Sequence, residues 1–340
     1  MASTRARRRS ASRSSSRLGG KRASRKRVAQ AETSLATWEY EARRVAVLTD
    51  TTKAFLLVLA LQERLNLVRE LESLGNETLR SVSSTVRSGA VSPIEEDRAR
   101  VALERVQLEA VRAAKDLESA RVLLAASWGA TSARYSRALG DLDRAPEPPP
   151  LDRLLAATTE SPEIARWNAE VEEREARLAL ARAQRIPDVF ASVGGRYYGE
   201  GEDLGLVAQL SVPIPLFDRN RGNILDARHR IARASAERRS AEVGVRSQLE
   251  SALRSLEAAH AEVLALRDRI IPRATHVYDE TRRGYATGLF RYVEVLDAQR
   301  TLFEAREDLL TTLTTYHAVA TDIERLTATP LQQFDDTERQ

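Results

Sequence analysis

Residues 212–224 read VPIPLFDRNRGNI. Two prolines frame an apolar pair, and a polar run containing one glycine follows. Upstream, from residue 188, apolar residues alternate with a period of two. Downstream, no proline interrupts the chain until Pro272. Pro213 and Pro215 cannot donate to a β ladder, so they end strand pairing and redirect the chain. The stretch is therefore a corner between a strand and a long helix. Pro213, Pro215, Phe217, Asp218 and Gly222 carry it.

On the strand side, PDVFASVGGRYY sets Val189, Ala191, Val193, Gly195 and Tyr197 on one face. After GEGED, LGLVAQLSV sets Leu204, Leu206, Ala208, Leu210 and Val212 on one face. Two alternating runs around a Gly/acidic turn predict a β-hairpin over 188–213. One face is apolar, the other small and mixed. Either a small soluble core covers that hairpin, or lipid does, as in a transmembrane barrel.

On the helix side, Leu249, Ala252, Leu256, Ala259, Val263, Leu266 and Ile270 alternate steps of three and four. That is a heptad seam. Pro272 is expected to kink it. A turn at Gly288 leads to a return helix, giving a long helical hairpin over 222–327. Another helix, over 161–185, starts at Ser161-Pro162 and stops before Pro187.

The N-terminal part reads the same way. A helix over 23–88 ends at Gly89. Ser92, Pro93 and Glu95 then have the spacing of an N-cap, a first helical position and a capping box. The domain expectations are a basic leader (1–18), disordered or an artefact of a misplaced start, a first helical hairpin (19–142), a Pro-rich linker (143–152), a second unit (153–329) and a tail (330–340). Within the chain, Gly89, Glu95, Ala99 and Leu103 align with Gly288, Glu294, Ala298 and Leu302. A duplicated unit of roughly 200 residues accounts for this.

Composition narrows the function. The chain has 340 residues, no cysteine, one methionine and four scattered histidines. That leaves no disulfide or thiolate and little for metal ligation. No nucleophile–base set or phosphate loop presents itself. The net charge of +4 belongs to the leader: residues 1–27 hold 11 of the 53 Lys+Arg and no acid, leaving 42 basic against 49 acidic residues. The leader has no apolar stretch of the signal-peptide kind. Its readings are a nucleic-acid-binding tail, a transit-like segment or a misplaced start. The longest apolar run, residues 54–61, is too short to cross a bilayer as a helix.

Together these features resemble the TolC family of outer-membrane efflux factors, most of all the CzcC type of cobalt–zinc–cadmium systems. RIPDVFASVGGRYY, VPIPLFDRNRGNI, RIIPRA and GYATGLFRYVEVLDAQRTLFEARE carry the resemblance. It implies a mainly α fold: long antiparallel helical hairpins forming an α-barrel, plus strands of a shared transmembrane β-barrel, in a homotrimer. It also implies an outer-membrane location with a periplasmic extension, a periplasmic adaptor, an inner-membrane pump, and passive export of divalent metal ions. No cofactor, catalytic residue, metal site or nucleic acid is implied. The gating tyrosine falls on Tyr285, its acidic partner on Glu95, and the pore-lining acids on Glu294 and Asp297. The tip turns fall on Gly89 and Gly288. Phe290 stands where the best-known members have a gate arginine. Against the family pattern, two strands per protomer and the absent signal peptide lead to the expectation of an N-terminal truncation. The alternative class is a soluble helical coiled-coil scaffold with a basic nucleic-acid- or surface-binding tail.

Overall fold

The computed structural model describes residues 8–16, 20–89, 91–159, 161–198, 203–214, 219–331 and 333–334. Strand β1 (Arg8–Ser16) precedes helix α1 (Lys21–Arg87), and α2 (Pro93–Ala126) returns from it. A short α3 (Leu151–Thr158) and α4 (Pro162–Ala183) lead to β2 (Val189–Tyr198) and β3 (Asp203–Ser211). Then come α5 (Arg221–Ala265), a π turn (Leu266–Ile270), α6 (Ile271–Ala286) and α7 (Tyr292–Thr327). The chain forms two compact units, 1–42 with 162–244 and 43–161 with 245–340.

The first unit holds the sheet, in the order β1-β2-β3 with both pairings antiparallel. β1 corrects the expectation of a disordered leader and of two strands. Its Arg/Ser sequence has no apolar alternation, so periodicity could not find it. β1 and β3 flank β2, and each runs into a long helix, as a repeated unit requires. The hairpin register pairs Ala191 with Leu210 and Val193 with Ala208 on one face. Ser192 pairs with Gln209 and Phe190 with Ser211 on the other. The apolar face is uncovered: Leu206 is 83% exposed, Leu210 71% and Val193 52%.

Of the corner, Pro213 and Gly222 are described; Pro215, Phe217 and Asp218 lie outside the described residues. Asn220 takes φ 57°, and its amide donates to the Ala181 carbonyl at 2.7 Å. Asn tolerates the left-handed region because its short polar side chain finds local partners. Lys21, 6% exposed, pairs with Asp188 at 2.9 Å beside β2. The Glu173 carboxylate is 1% exposed and is neutralised by Arg174 and Arg177.

The second unit is helical. Val58, Leu59 and Leu65 of α1 pack on Ala113, Leu117 and Leu124 of α2. One 18-residue window of α1 is apolar enough to cross a membrane by length and composition alone. Asp50 and Lys53 interrupt that window, so the longest uninterrupted apolar run stays at residues 54–61. Within this unit Val58, Leu59 and Ala60 are core residues. Across α1 and α7, Lys53 meets Asp322 at 2.7 Å, Arg64 meets Glu307 at 2.9 Å and Arg306 meets Glu70 at 2.9 Å.

Residues 130–150 form a strap with no regular structure. Its backbone groups need partners, and side chains supply them. Gln62 makes two bonds to the Ala138 backbone, at 3.1 and 2.8 Å. The Tyr316 hydroxyl donates to the Pro146 carbonyl at 2.6 Å, and His317 Nε2 donates to the Leu142 carbonyl at 2.9 Å.

Pro272 does not simply kink its helix. The chain takes a π turn just before it, which absorbs the missing N–H by adding one residue. The added residue shifts the seam. Leu249, Leu256, Ala259, Val263 and Leu266 are buried as expected, but Leu253 takes the core place expected of Ala252, Ile270 is 45% exposed, and Ala274 and Tyr278 are buried next.

Candidate functional site: the two helical tips

The turns joining α1 to α2 and α6 to α7 lie in the second unit. They share one apolar cluster, with Val82 and Ala99 from the first tip and Tyr278, Tyr292 and Val295 from the second. Both turns rest on a glycine in the left-handed region, Gly89 at φ 77° and Gly288 at φ 79°. Most L side chains adopt that backbone only at a cost, which glycine avoids, so glycine ends the helix there.

The repeat register holds at side-chain level. Ala99 and Leu103 are buried, and so are Ala298 and Leu302. Glu95 and Glu294 both occupy the third position of their helices. They do different things there. The Glu294 carboxylate accepts from the Arg291 backbone N–H at 2.6 Å, closing the helix start. Glu95 forms no such bond to Ser92, contrary to the capping-box expectation. Ser92 caps through its own hydroxyl, which accepts from the Ile94 N–H at 3.4 Å. One Glu95 oxygen instead pairs with Arg98 at 3.0 Å; the other is buried with no hydrogen-bond partner among the described residues.

The Tyr285 hydroxyl is also buried without a hydrogen bond of good geometry. Burial raises its pKa; the Thr85 hydroxyl opposes that rise and the Glu95 charge adds to it. An acceptor from the first tip and a donor from the second, neither with a well-formed bond among the described residues, thus lie within electrostatic reach of each other. Tyr292 stands 6.0 Å from Tyr285, ring centre to ring centre, and its pKa is raised strongly, first by burial. Tyr278 is raised as well, again first by burial. Sequence reasoning passed over Tyr278 and Tyr292; their seven-residue spacing from Tyr285 was the available signal.

Glu294 and Asp297 are exposed and line a groove of about 650 Å³ between α6 and α7, with Arg273, Val277 and Thr301. The Asp297 carboxylate makes no ion pair or hydrogen bond among the described residues. Phe290 is stowed on its own turn. A Cβ added to Gly284 would come within 2.2 Å of the Phe290 ring, so the missing side chain is the seat of that ring. Among the described residues, no group of three or more His, Cys, Asp or Glu has metal-holding geometry.

Comparison with known proteins fits this geometry. The model of the family described as outer membrane efflux protein matches residues 17–130 and 155–329. The chain is 32% identical over 309 residues to the cobalt-zinc-cadmium resistance protein CzcC of Cupriavidus metallidurans, covering 91% of this chain and 74% of that one. It is 29% identical over 219 residues to the nickel-cobalt-cadmium resistance protein NccC of Alcaligenes xylosoxydans xylosoxydans, covering 64% of this chain and spanning about half (49%) of NccC. The open state of the Neisseria gonorrhoeae MtrE outer membrane channel has the same fold, with a TM-score of 0.77 at 18% identity over 97% of this chain and 80% of that chain.

Proposed function

The chain belongs to the outer membrane efflux protein family and is an outer-membrane protein; from that premise we propose that it is the channel subunit of a tripartite efflux system, a passive conduit for divalent heavy-metal cations. The observation that carries the membrane part is the sheet. Leu206, Ala208, Leu210 and Val193 share one exposed apolar face, while Ser192, Gln209 and Ser211 share the other. That alternation suits lipid outside and water inside a closed barrel. Closure needs strands from more than one copy, because open sheet edges cannot lie in lipid. We take the assembly to be a homotrimer that meets a periplasmic adaptor and an inner-membrane pump.

The tips supply the gate in this reading. Tyr285 and Glu95, both half-buried and each with a polar atom left without a partner among the described residues, are the groups from which a latch between the two hairpins would be made. Glu294 and Asp297 form rings of carboxylates that concentrate cations at the constriction. The metal resistance named for CzcC and NccC supports divalent cations as cargo. Nothing in this role is catalytic.

The experiment has two arms. The protein is isolated from the detergent-insoluble outer-membrane fraction and reconstituted in planar bilayers. Cation-selective conductance is expected, reduced by Asp297→Asn with Glu294→Gln. Absence of conductance sinks the conduit reading, and unchanged selectivity in the double variant removes the ring.

A further inference from the structure

The end of α2 and the first part of the strap have chemistry unrelated to a conduit. Residues 121–139 read RVLLAASWGATSARYSRAL, with three arginines and no acid. Arg134 and Arg137 are exposed and make no ion pair or hydrogen bond among the described residues.

Arg137 lines an open groove of about 520 Å³ together with Phe55, Trp128, Tyr135, Leu139 and Thr52, and Arg134 lies three residues before it on the same segment. Trp128 is 56% exposed. Its ring is tilted against Tyr135, with centroids 6.2 Å apart, and the Tyr135 hydroxyl is tied to the Arg121 carbonyl at 3.1 Å. The strap is pinned at Ala138 by Gln62 and at Ser136 by Arg121. The groove is thus preformed, with an aromatic floor that does not need to be built on binding.

We infer that this groove binds a carboxylate-bearing glycan of the cell wall. Three features select that ligand class. A flat, exposed indole offers a negative π face to the polarised C–H bonds of a sugar ring. Free guanidiniums match carboxylates in a two-pronged geometry. The Thr52 hydroxyl, bonded to nothing among the described residues, suits sugar hydroxyls. An apolar peptide helix would bury Trp128 but leave both arginines without partners. The shallow groove is also too small for an extended apolar interface, though large enough for a few sugar rings. The inference is independent of the gate and of the cargo.

The test is co-sedimentation of the full chain, in detergent, with purified peptidoglycan sacculi. Binding is expected, weakened as salt rises. Trp128→Ala should lower affinity about tenfold. Arg134→Gln with Arg137→Gln should do the same and flatten the salt dependence, whereas Trp128→Phe and Arg137→Lys should restore most of the binding. Circular dichroism and melting temperature check that each variant folds. Chitotetraose, a neutral sugar, should compete weakly and soluble muropeptides strongly. No sedimentation of the unmodified chain, or equal sedimentation of the variants, overturns the inference. Equal competition by poly-glutamate overturns it in favour of an acidic peptide. A changed oligomeric state of Trp128→Ala with sacculus binding intact overturns it in favour of a seam between copies.

Discussion

The tip between α1 and α2 is aliphatic; the tip between α6 and α7 is aromatic. A shift of 199 residues carries Gly89 onto Gly288, and with it Leu79, Val86, Val91 and Pro93 onto Tyr278, Tyr285, Phe290 and Tyr292. The backbone instructions are the same in both: a left-handed glycine, an extended N-cap residue, and a glutamate at the third helical position. The side chains are not. Duplication kept what makes a turn and diverged in what fills it. The first tip is served by an unbroken α1, while the second lies beyond a π turn. The second tip is also where the polar edges of aromatic rings can register ionisation, and the first has no such groups.

The largest expected effect comes from Gly284. Its counterpart in the first tip is Thr85, which carries a full side chain at the same point. Gly284→Ala drives a methyl into the Phe290 ring, and such overpacking costs about 1–3 kcal/mol. Adding Phe290→Ala should recover part of the loss. Thermal unfolding of the single and double variants measures the coupling; additive losses would falsify the seating of Phe290 on Gly284.

Alkaline pH separates the tips next. Tyr278, Tyr285 and Tyr292 have pKa values raised above the ordinary 10.0, each chiefly by burial. The folded chain then holds protons that the unfolded chain releases. Stability from these groups is complete below pH 10 and is lost as pH rises from there through the folded values. Phenolate absorbance should therefore appear in two stages, exposed tyrosines first and the buried ones, these three among them, together with unfolding. Tyr292→Phe should blunt the alkaline loss. A single stage near the ordinary value, with no coupled unfolding, would contradict the burial of the cluster.

Much of this comparison is legible in the sequence, and the missing parts have physical reasons. Glycine and Ser-Pro signals act through the backbone of their own residues, so both tip turns and the start of α2 are readable locally. Period-two alternation fixes the hairpin to within two residues at each end. The strap is different. Its order comes from Gln62, Tyr316 and His317, far away in sequence, and no local pattern announces them. β1 has no apolar alternation and takes its place by pairing with β2. α3 is only eight residues long and follows three prolines, too short for a periodic signal. Pro272 is visible as a disturbance, but whether a helix answers with a kink or with an extra residue depends on which face must stay buried. At the tips, Tyr285 and the acids are legible through resemblance. The stowed Phe290 and the Tyr292 contact are tertiary facts.

The two glutamates give the third contrast. Arg291 has no side-chain acceptor, so the α7 start depends on Glu294, and Glu294→Ala should cost about 1 kcal/mol, as the loss of a cap does. Ser92 already caps α2, so Glu95→Ala removes only an exposed pair with Arg98 and a buried oxygen that bonds to nothing. Its cost should be near zero. Unfolding temperatures of the two variants, measured side by side, decide it. Equal losses would mean that Glu95 caps after all and that its orphaned oxygen has a partner.

The smallest effect is the most discriminating. Glu95→Gln keeps the size of the side chain and the exposed contact. It replaces a charged acceptor by an amide that can donate to, or accept from, the Tyr285 hydroxyl. If the two orphaned groups form a latch between the tips, the uncharged pair should still hold them together, and it should hold better because no charge is left buried beside a phenol. Stability should rise by a few tenths of a kcal/mol, within the range of ordinary hydrogen-bond exchanges. Tyr285 should ionise at a lower pH, since the Glu95 charge is one of the causes of its raised value. Tyr285→Phe in the same background should then erase the gain. A gain that survives Tyr285→Phe would place the benefit in α2 alone and leave the tips without a direct link.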